Sequence, residues 1–267
     1  MKRLLFSSYR IKAMILRYWF LLRGSWPRVV ELIYWPVVQM ILWGFISHFM
    51  ATNSTWVAQS IGLFLGAVLL WDIFFRSQLG VSLCFLEEIW SHNLGHLLIT
   101  PLRWYEWVLS LFMVSFLRTL ISNMPAVLLA IVLFNYSLFE LGWSLSVLIL
   151  NLIMVGWWLG LLMISMVLRY GLGAEGMVWI AVFLLAPISC VYYPVSALPE
   201  WLQVIAWMLP IAYIFETMRG ILFDHGVRID LLLVAFVLNV AYLSISIIVF
   251  TSILHTARKR GTLFQKE

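Results

Sequence analysis

Residues 57–79 read VAQSIGLFLGAVLLWDIFFRSQL, and this run decides the fold class of the chain. Apolar residues fill most of it, and Asp72 and Arg76 are its charges. The hydrocarbon core of a bilayer is about 30 Å thick, so a helix needs about 20 apolar residues to cross it. A run this long and this apolar therefore predicts a membrane-spanning helix.

Further apolar runs of similar character occur along the chain, which is 64% hydrophobic and 11% charged. Six spans use up most of the 267 residues and leave no room for a catalytic or nucleotide-binding domain. We therefore predict an all-α integral membrane protein with six transmembrane helices and a transmembrane domain over 29–254. The other five predicted spans are 29–50, 104–134, 144–168, 177–193 (kinked by Pro187) and 229–254.

Basic residues collect at the two ends of the chain, which has a formal charge of +5. Seven lie before the first span and four after the last, whereas the connections 51–56 and 135–143 contain none. The positive-inside rule then places both termini, including the basic tail 255–267, in the cytosol of a bacterial-type inner membrane. On this topology Ser54, Glu140 and His225 face outwards. The sequence does not predict a folded soluble domain with a basic face, so nucleic-acid binding is not expected.

Residues 1–28 predict an amphipathic helix at the cytosolic interface. One apolar stripe recurs at helical spacing, and basic side chains flank it, as in helices that lie along a membrane surface. The stripe consists of Ile11, Met14, Ile15, Tyr18, Trp19 and Leu22.

The segment 80–103 predicts the largest cytosolic loop. Ser91 can cap a short helix, Pro101 stops it, and Glu87 and Glu88 precede it. We expect a helix over 91–99 on which a cytosolic partner can dock. An ordinary interfacial loop explains the composition equally well.

The segment 194–222 predicts an outer hairpin that does not cross the membrane. Pro194, Pro199 and Pro210 divide apolar sequence into pieces too short to span. One apolar face on residues 200–209 is expected to be buried in protein, because backbone that is not helical cannot face lipid. That face consists of Trp201, Val204, Ile205 and Met208.

Two charges, Asp72 and Arg118, are predicted to lie within the membrane. An unpaired charge there costs at least ~2.5 kcal/mol, so each needs a partner or water. We favour a structural pair between the second and third spans over a substrate or proton site, with Arg76 as a competing partner for Asp72 at i+4. Gly62 and Gly66 allow close helix approach, most simply within the chain.

The sequence offers little for catalysis. It contains no Gly-rich phosphate loop and no His-Glu-x-x-His pattern, its five histidines are dispersed, and Cys84 and Cys190 have no metal-binding spacing around them. We expect neither an enzyme nor a metal site.

Two motifs occur in order along the chain. The first is Glu88 followed by a short helix ending in Leu97-Leu98-Ile99-Thr100-Pro101-Leu102, with Glu106 after it. The second runs from Tyr193 to Leu202 and continues through Pro210, Tyr213 and Glu216 to Arg219-Gly220. Together these motifs resemble those of the membrane subunits of type-II ABC exporters. The chain departs from the family pattern at residues 93–96, where Asn-Leu-Gly-His replaces a Gly-Thr-Leu-Glu-like run.

The resemblance implies a coupling helix, two copies of a separate cytosolic ATPase that carry the ATP and Mg, and no cofactor in this chain. It also implies a second copy of the chain or a related permease, and an amphipathic or hydrophobic substrate of the drug, lipid or lipo-oligosaccharide class. The expected ATPase-docking residues are Glu87, Glu88, Ser91, Asn93, Leu94, His96, Leu97, Thr100 and Pro101. The expected outer-gate residues are Pro194, Leu198, Pro199, Trp201, Pro210, Glu216 and Arg219.

Two other functions remain open from the sequence. One is an ATPase-coupled membrane sensor that uses the same docking helix without moving a substrate. The other is a channel that needs no ATPase.

Overall fold

The computed structural model describes residues 2–53, 61–224 and 226–260, and the regular structure in these ranges is helical. Ser54 and His225, two of the three positions predicted to face outwards, lie outside the described residues. The helices are α1 Lys2–Arg23, α2 Trp26–Asn53, α3 Ile61–Trp90, α4 Leu94–Ile99, α5 Trp104–Phe134, α6 Ser144–Tyr170, α7 Met177–Leu185, α8 Glu200–Met208, α9 Pro210–Asp224 and α10 Ile229–Arg260. Short 3₁₀ turns lie at Leu138–Leu141, Leu172–Ala174 and Val195–Ala197.

Helix α3 is the centre of the bundle. Of its most apolar 18-residue window, 94% is buried inside the chain, and it packs against α2, α5 and α6. Small residues permit this packing: Gly80 of α3 faces Ser115 of α5, and Gly156 and Gly160 of α6 face Ser77 and Val81 of α3. Helix α6 then packs against α10 on its other side.

Five helices are long and apolar enough to cross a membrane, namely α2, α3, α5, α6 and α10. Helices α8 and α9 are long and apolar enough to cross if they are taken together, but they meet at a bend of 99°, as in a broken span or a re-entrant loop. Pro210 lies at this bend and has no N–H with which to continue α8. The predicted helix over 104–134 is confirmed in both its bounds.

The predicted fifth span, 177–193, is wrong as a continuous helix. Helix α7 ends at Leu185, after nine residues or about 14 Å, and residues 186–193 follow as turns and bends. Pro187 contributes no backbone donor here, which accounts for a break where the hydropathy continues.

The loop predicted over 80–103 is much shorter than expected. Helix α3 continues through residues 80–90, and a break of three residues separates it from α4. His92 adopts a left-handed backbone conformation, with φ 50°, which turns the chain sharply within that break.

The two ends of the bundle differ in character. Helix α1 packs against α5 and α2, and the last turns of α10 lie beside Trp104 at the start of α5. This end, which carries α1, α4 and the end of α10, is called the basic end. At the opposite end, Tyr136 packs against Gly62 and Gly66, so this glycine pair serves packing within the chain.

Candidate functional sites

Helix α1 is fastened to the basic end by the buried carboxylate of Glu106 in the first turn of α5. Arg10 donates to it through Nε at 2.8 Å and Nη2 at 2.6 Å, and Ser7 donates through Oγ at 2.7 Å. The backbone N–H of Arg103 adds a further hydrogen bond at 3.0 Å. A buried carboxylate with this many donors holds α1 firmly on α5.

A second carboxylate, Glu88, joins three elements. Its Oε2 accepts from Arg17 Nη2 of α1 and from Asn93 Nδ2 at the start of α4, both at 2.7 Å. Glu88 itself lies near the end of α3 and is buried. Next to it, Trp107 Nε1 donates to the Tyr18 hydroxyl at 3.2 Å, and burial raises the pKa of this phenol well above its usual range. Helices α1, α3 and α4 are therefore connected through one buried charge.

The short helix begins later than predicted, at Leu94, and Ser91 does not cap it. Ser91 Oγ donates to the carbonyl of Glu87 at 2.7 Å, because Ser91 directly follows the last turn of α3, which ends at Trp90. Asn93 occupies the capping position without a side-chain capping bond. Thr100 Oγ1 donates to the carbonyl of Leu97 at 2.6 Å and closes the other end.

Helix α4 presents only part of the predicted docking set outwards. Leu94 and Leu97 are 2% and 4% exposed and pack in the core, and Glu88 is buried in its ion pair. These three side chains have almost no surface free for a partner within this arrangement, and the docking role of the set stays a prediction. The exposed members of the set are Ser91, His96, Thr100 and Pro101, and Ile99, which was not in the set, is 79% exposed beside them. A groove of about 300 Å³ lies between α4 and α1, and His96, Thr100 and Pro101 line it together with Arg10 and Arg17.

Glu216 and Arg219 of α9 fasten the irregular segment that precedes α8. Glu216 Oε1 accepts from the backbone N–H of Val195 at 2.7 Å and forms an ion pair with Arg219 at 3.1 Å. Arg219 Nη1 donates to the carbonyls of Cys190 and Val191 at 2.8 and 3.3 Å. Cys190 has a positive φ of 54°, so the guanidinium stabilises a strained backbone and satisfies its acceptors. Both residues belong to the set expected at the outer gate, and the structure shows that they form a pair.

The remaining residues of the predicted outer gate have mixed surroundings. Pro210 is buried at the bend, Leu198 packs on a small cluster around Cys190, and Pro194 and Pro199 are exposed. The apolar face of α8 was expected to be buried, but within this chain Trp201 is 65% exposed and Val204, Ile205 and Met208 are exposed with it. A single copy of the chain therefore leaves this face uncovered.

The predicted pair between Asp72 and Arg118 is wrong. Asp72 lies 3.5 Å from Arg76, and Arg118 lies 3.2 Å from Glu87. The prediction placed the end of the second span at residue 79, whereas α3 continues to Trp90. Fifteen residues separate Asp72 from Glu87, or roughly 22 Å of helix, so Arg118 lies far from the depth of Asp72.

Two polar features within the apolar helices were not predicted. Asn239 of α10 accepts from Trp158 Nε1 at 3.1 Å and donates to Asn151 of α6 at 3.1 Å, which joins α6 and α10. The isolated asparagines in apolar runs were a visible signal for it. The second is a groove of about 230 Å³ along α2 and α3. Its polar lining consists of Arg28, Glu31, Gln39, Arg76, Glu87 and Arg118.

The family model described as ABC-2 type transporter matches residues 9–223. No curated protein matches the chain. The match begins within α1 and runs through α2 to α8 and nearly all of α9, and α10 lies outside it.

Proposed function

Because the chain belongs to the ABC-2 type transporter family, we propose that it is the membrane subunit of an exporter that moves an amphipathic molecule out of the cytosol or inner leaflet. The family is one of multi-pass permease subunits that work with an ABC ATPase. The observation that carries the proposal is the exposed face of α4, mounted on a rigid, ion-paired base at the end of the bundle where the basic residues collect.

The outward face of α4 supports docking of the ATPase. Its inner face is held by Leu94 and Leu97, so His96, Ile99, Thr100 and Pro101 are free to contact another protein. An apolar side chain as exposed as Ile99, on a segment outside the apolar spans, is typical of an interaction surface. The ATPase would carry the ATP and Mg, and this chain would contribute no catalytic group.

The ion pairs at the basic end give the docked ATPase a mechanical connection to the bundle. Movement of α4 would pull on Asn93 and Glu88, and Glu88 connects directly to α3 and, through Arg17, to α1. Because α3 is the central helix, displacement of its end would repack several spans together. Such rigid-body shifts of packed helices are an established way to alternate access between two sides.

The charge bias of the termini supports a cytosolic position for the basic end in an inner membrane. The opposite end, with the segment fastened by Glu216 and Arg219, would then form the outer gate. We further propose two copies of the chain, each with one ATPase, around a shared path. The uncovered face of α8 and the small size of one bundle support this assembly.

The docking surface is tested by Ile99→Asp, with His96→Asp as a second variant. Both should reduce co-purification of a soluble ATPase and its lipid-stimulated hydrolysis by about ten-fold or more, since a buried charge without a partner opposes association. His255→Asp is the matched control, because His255 is exposed at the same end of the bundle but on α10.

Membrane insertion should be normal in all three variants. ATPase binding that is unchanged in Ile99→Asp and His96→Asp would show that α4 is not the docking element. If the unaltered protein binds the ATPase but does not transport a labelled amphiphile, a sensor is favoured over an exporter.

A further inference from the structure

The groove along α2 and α3 runs lengthwise between antiparallel helices. On α3 it is lined by Phe75, Arg76, Leu79, Leu83 and Glu87, which form one stripe at helical spacing. On α2 the corresponding stripe runs from Arg28 to Gln39. Arg28 lies 3.9 Å from Glu87, so the two stripes are aligned at the basic end.

Polar groups occupy both ends of this groove, and its middle is apolar. The end near Glu87 carries Arg28, Glu31 and Arg118, and the deep end carries Gln39 and Arg76. Eleven residues separate Arg76 from Glu87 and also Arg28 from Gln39, which is roughly 16 Å of helix. The two polar levels are thus about one leaflet apart, given a hydrocarbon core of about 30 Å.

The deep end contains hydrogen-bond donors that lack acceptors. Arg76 is 7% exposed, and its Nε and Nη2 have no hydrogen-bond partner among the described residues. Asp72 lies 3.5 Å from Arg76 but does not complete a hydrogen bond with it. At the other end of the groove, Arg118 is 5% exposed and also has an unpartnered Nε. Buried guanidinium donors without acceptors are costly unless a ligand or water supplies oxygens.

The wall of the groove is suited to an acyl chain. The Phe75 ring lies 6.2 Å from Trp179 and 6.1 Å from Phe183 of α7, and Arg76 lies over the same Phe75 ring at 5.4 Å. Phe183 is 65% exposed, so this aromatic wall reaches the outer surface of the bundle. The volume of about 230 Å³ corresponds to roughly eight waters, enough for a headgroup but too small for a complete lipid.

We propose that this groove binds the phosphate or carboxylate headgroup of an anionic amphiphile, with Arg118 and Arg28 at its entrance and Arg76 at its deep end. The chain of the amphiphile lies against the aromatic wall and in the surrounding lipid. The binding site is inferred from the geometry of the groove alone. Only the further step, that the ligand is the transported cargo, rests on the proposed function. An anionic phospholipid of the bilayer has the same chemistry as such a cargo, and the experiments separate the two.

Polar access to the groove is tested with single cysteines in a cysteine-free variant of the full chain in liposomes. Gln39→Cys lines the groove, whereas Leu42→Cys lies less than one turn away on the exposed face of α2. A charged thiol reagent should label Gln39→Cys at least about ten-fold faster, because charges are largely excluded from hydrocarbon. Equal labelling rates at the two positions would overturn the inference.

Headgroup binding is tested by retention of phosphatidylglycerol against phosphatidylcholine with identical acyl chains, measured by native mass spectrometry. The unaltered chain should retain the anionic lipid preferentially. The double variant Asp72→Asn with Arg76→Gln removes both charges together, and its preference should fall about ten-fold, since hydrogen bonds to charged groups are strong. Inorganic phosphate should compete poorly, because it lacks the acyl chain.

Phe183→Ala provides a second variant that does not disturb the core. Retention of phosphatidylglycerol should fall in this variant, but not in Phe45→Ala, a control of similar exposure on α2 outside the groove lining. Equal retention of both lipids by the unaltered chain, or equal effects of Phe183→Ala and Phe45→Ala, would overturn the inference. A retained anionic lipid that neither stimulates the ATPase nor is transported would confirm the site and reject the lipid as cargo. None of the binding measurements needs the ATPase, so their failure leaves the proposed function intact.

Discussion

Three acidic residues at the basic end determine how the surrounding helices are joined. Glu106 holds Arg10, Glu88 holds Arg17, and Glu87 holds Arg118. Each pair connects two different helices. Each therefore fixes the relative position of those helices, which non-directional hydrophobic packing alone would not fix. The interaction between Glu87 and Arg118 gives the sharpest test, because the sequence analysis had assigned Arg118 to a different partner.

Glu87→Gln should lower the free energy of unfolding by about 3 kcal/mol, since it leaves the buried Arg118 without an anion. The double variant Glu87→Gln with Arg118→Gln should lose clearly less than the sum of the two single variants. The comparison pair Asp72→Asn with Arg118→Gln should be additive to within about 0.5 kcal/mol. Denaturant titration in detergent measures all of these. Coupling to Asp72 rather than Glu87 would contradict the observed pairing.

At the scale of the elements, the contact between α3 and α6 depends on glycine. A Cβ on Gly156 would lie 2.6 Å from Ser77 Cβ and 2.7 Å from the backbone nitrogen of Gln78. The backbone atom cannot move away as a side chain could, so the helices would have to separate. Gly160 repeats the close approach one turn later, against Val81. Small residues spaced in this way allow two membrane helices to pack closely.

Gly156→Ala should therefore destabilise the chain by about 2 kcal/mol or more, although alanine is the better helix former. Gly176→Ala is the matched control, because within the described part of the structure its Cβ would meet no atom within 4 Å. Thermal unfolding in detergent would separate the two variants. A Gly156→Ala protein as stable as Gly176→Ala would show that α3 and α6 are less closely packed than described.

At the scale of the whole molecule, the central position of α3 limits how two copies can associate. A two-fold dimer places the same helices of the two copies opposite each other, and the second and fifth predicted spans are candidates for that contact. The second span is α3, whose side chains are already used within the chain. Helix α7, from the predicted fifth span, keeps exposed apolar side chains such as Ile180 and Leu184.

In a cysteine-free variant, Ile180→Cys and Leu184→Cys should form symmetric disulfide-linked dimers in membranes. Leu65→Cys and Val68→Cys on α3 should not, because both positions are buried within one chain. Electrophoresis under non-reducing conditions gives the result. One membrane subunit per active complex, measured by mass in detergent or nanodiscs, would exclude the shared path between two copies.

The sequence by itself determined the class of the protein and the position of most spans. Hydropathy is a local property, since each run of about 20 apolar residues must cross or be buried whatever its neighbours are. The sequence assigned Glu216 and Arg219 to one segment without predicting their pairing, although the pairing is local, since they lie three residues apart on α9. The bounds of α5 were also predicted, because they follow from the hydropathy of one continuous run of sequence.

Only the tertiary structure decided which groups meet and which faces remain free. Partners such as Arg17 and Glu88 are separated by 71 residues in sequence, and their pairing depends on how far α3 extends. Hydropathy placed the end of that helix at residue 79, because membrane depth and helix length are different quantities and a helix can continue beyond the apolar run. The same extension placed Ser91 directly after the last turn of α3, turned Leu94 and Leu97 inwards, and opened the groove that ends at Arg76.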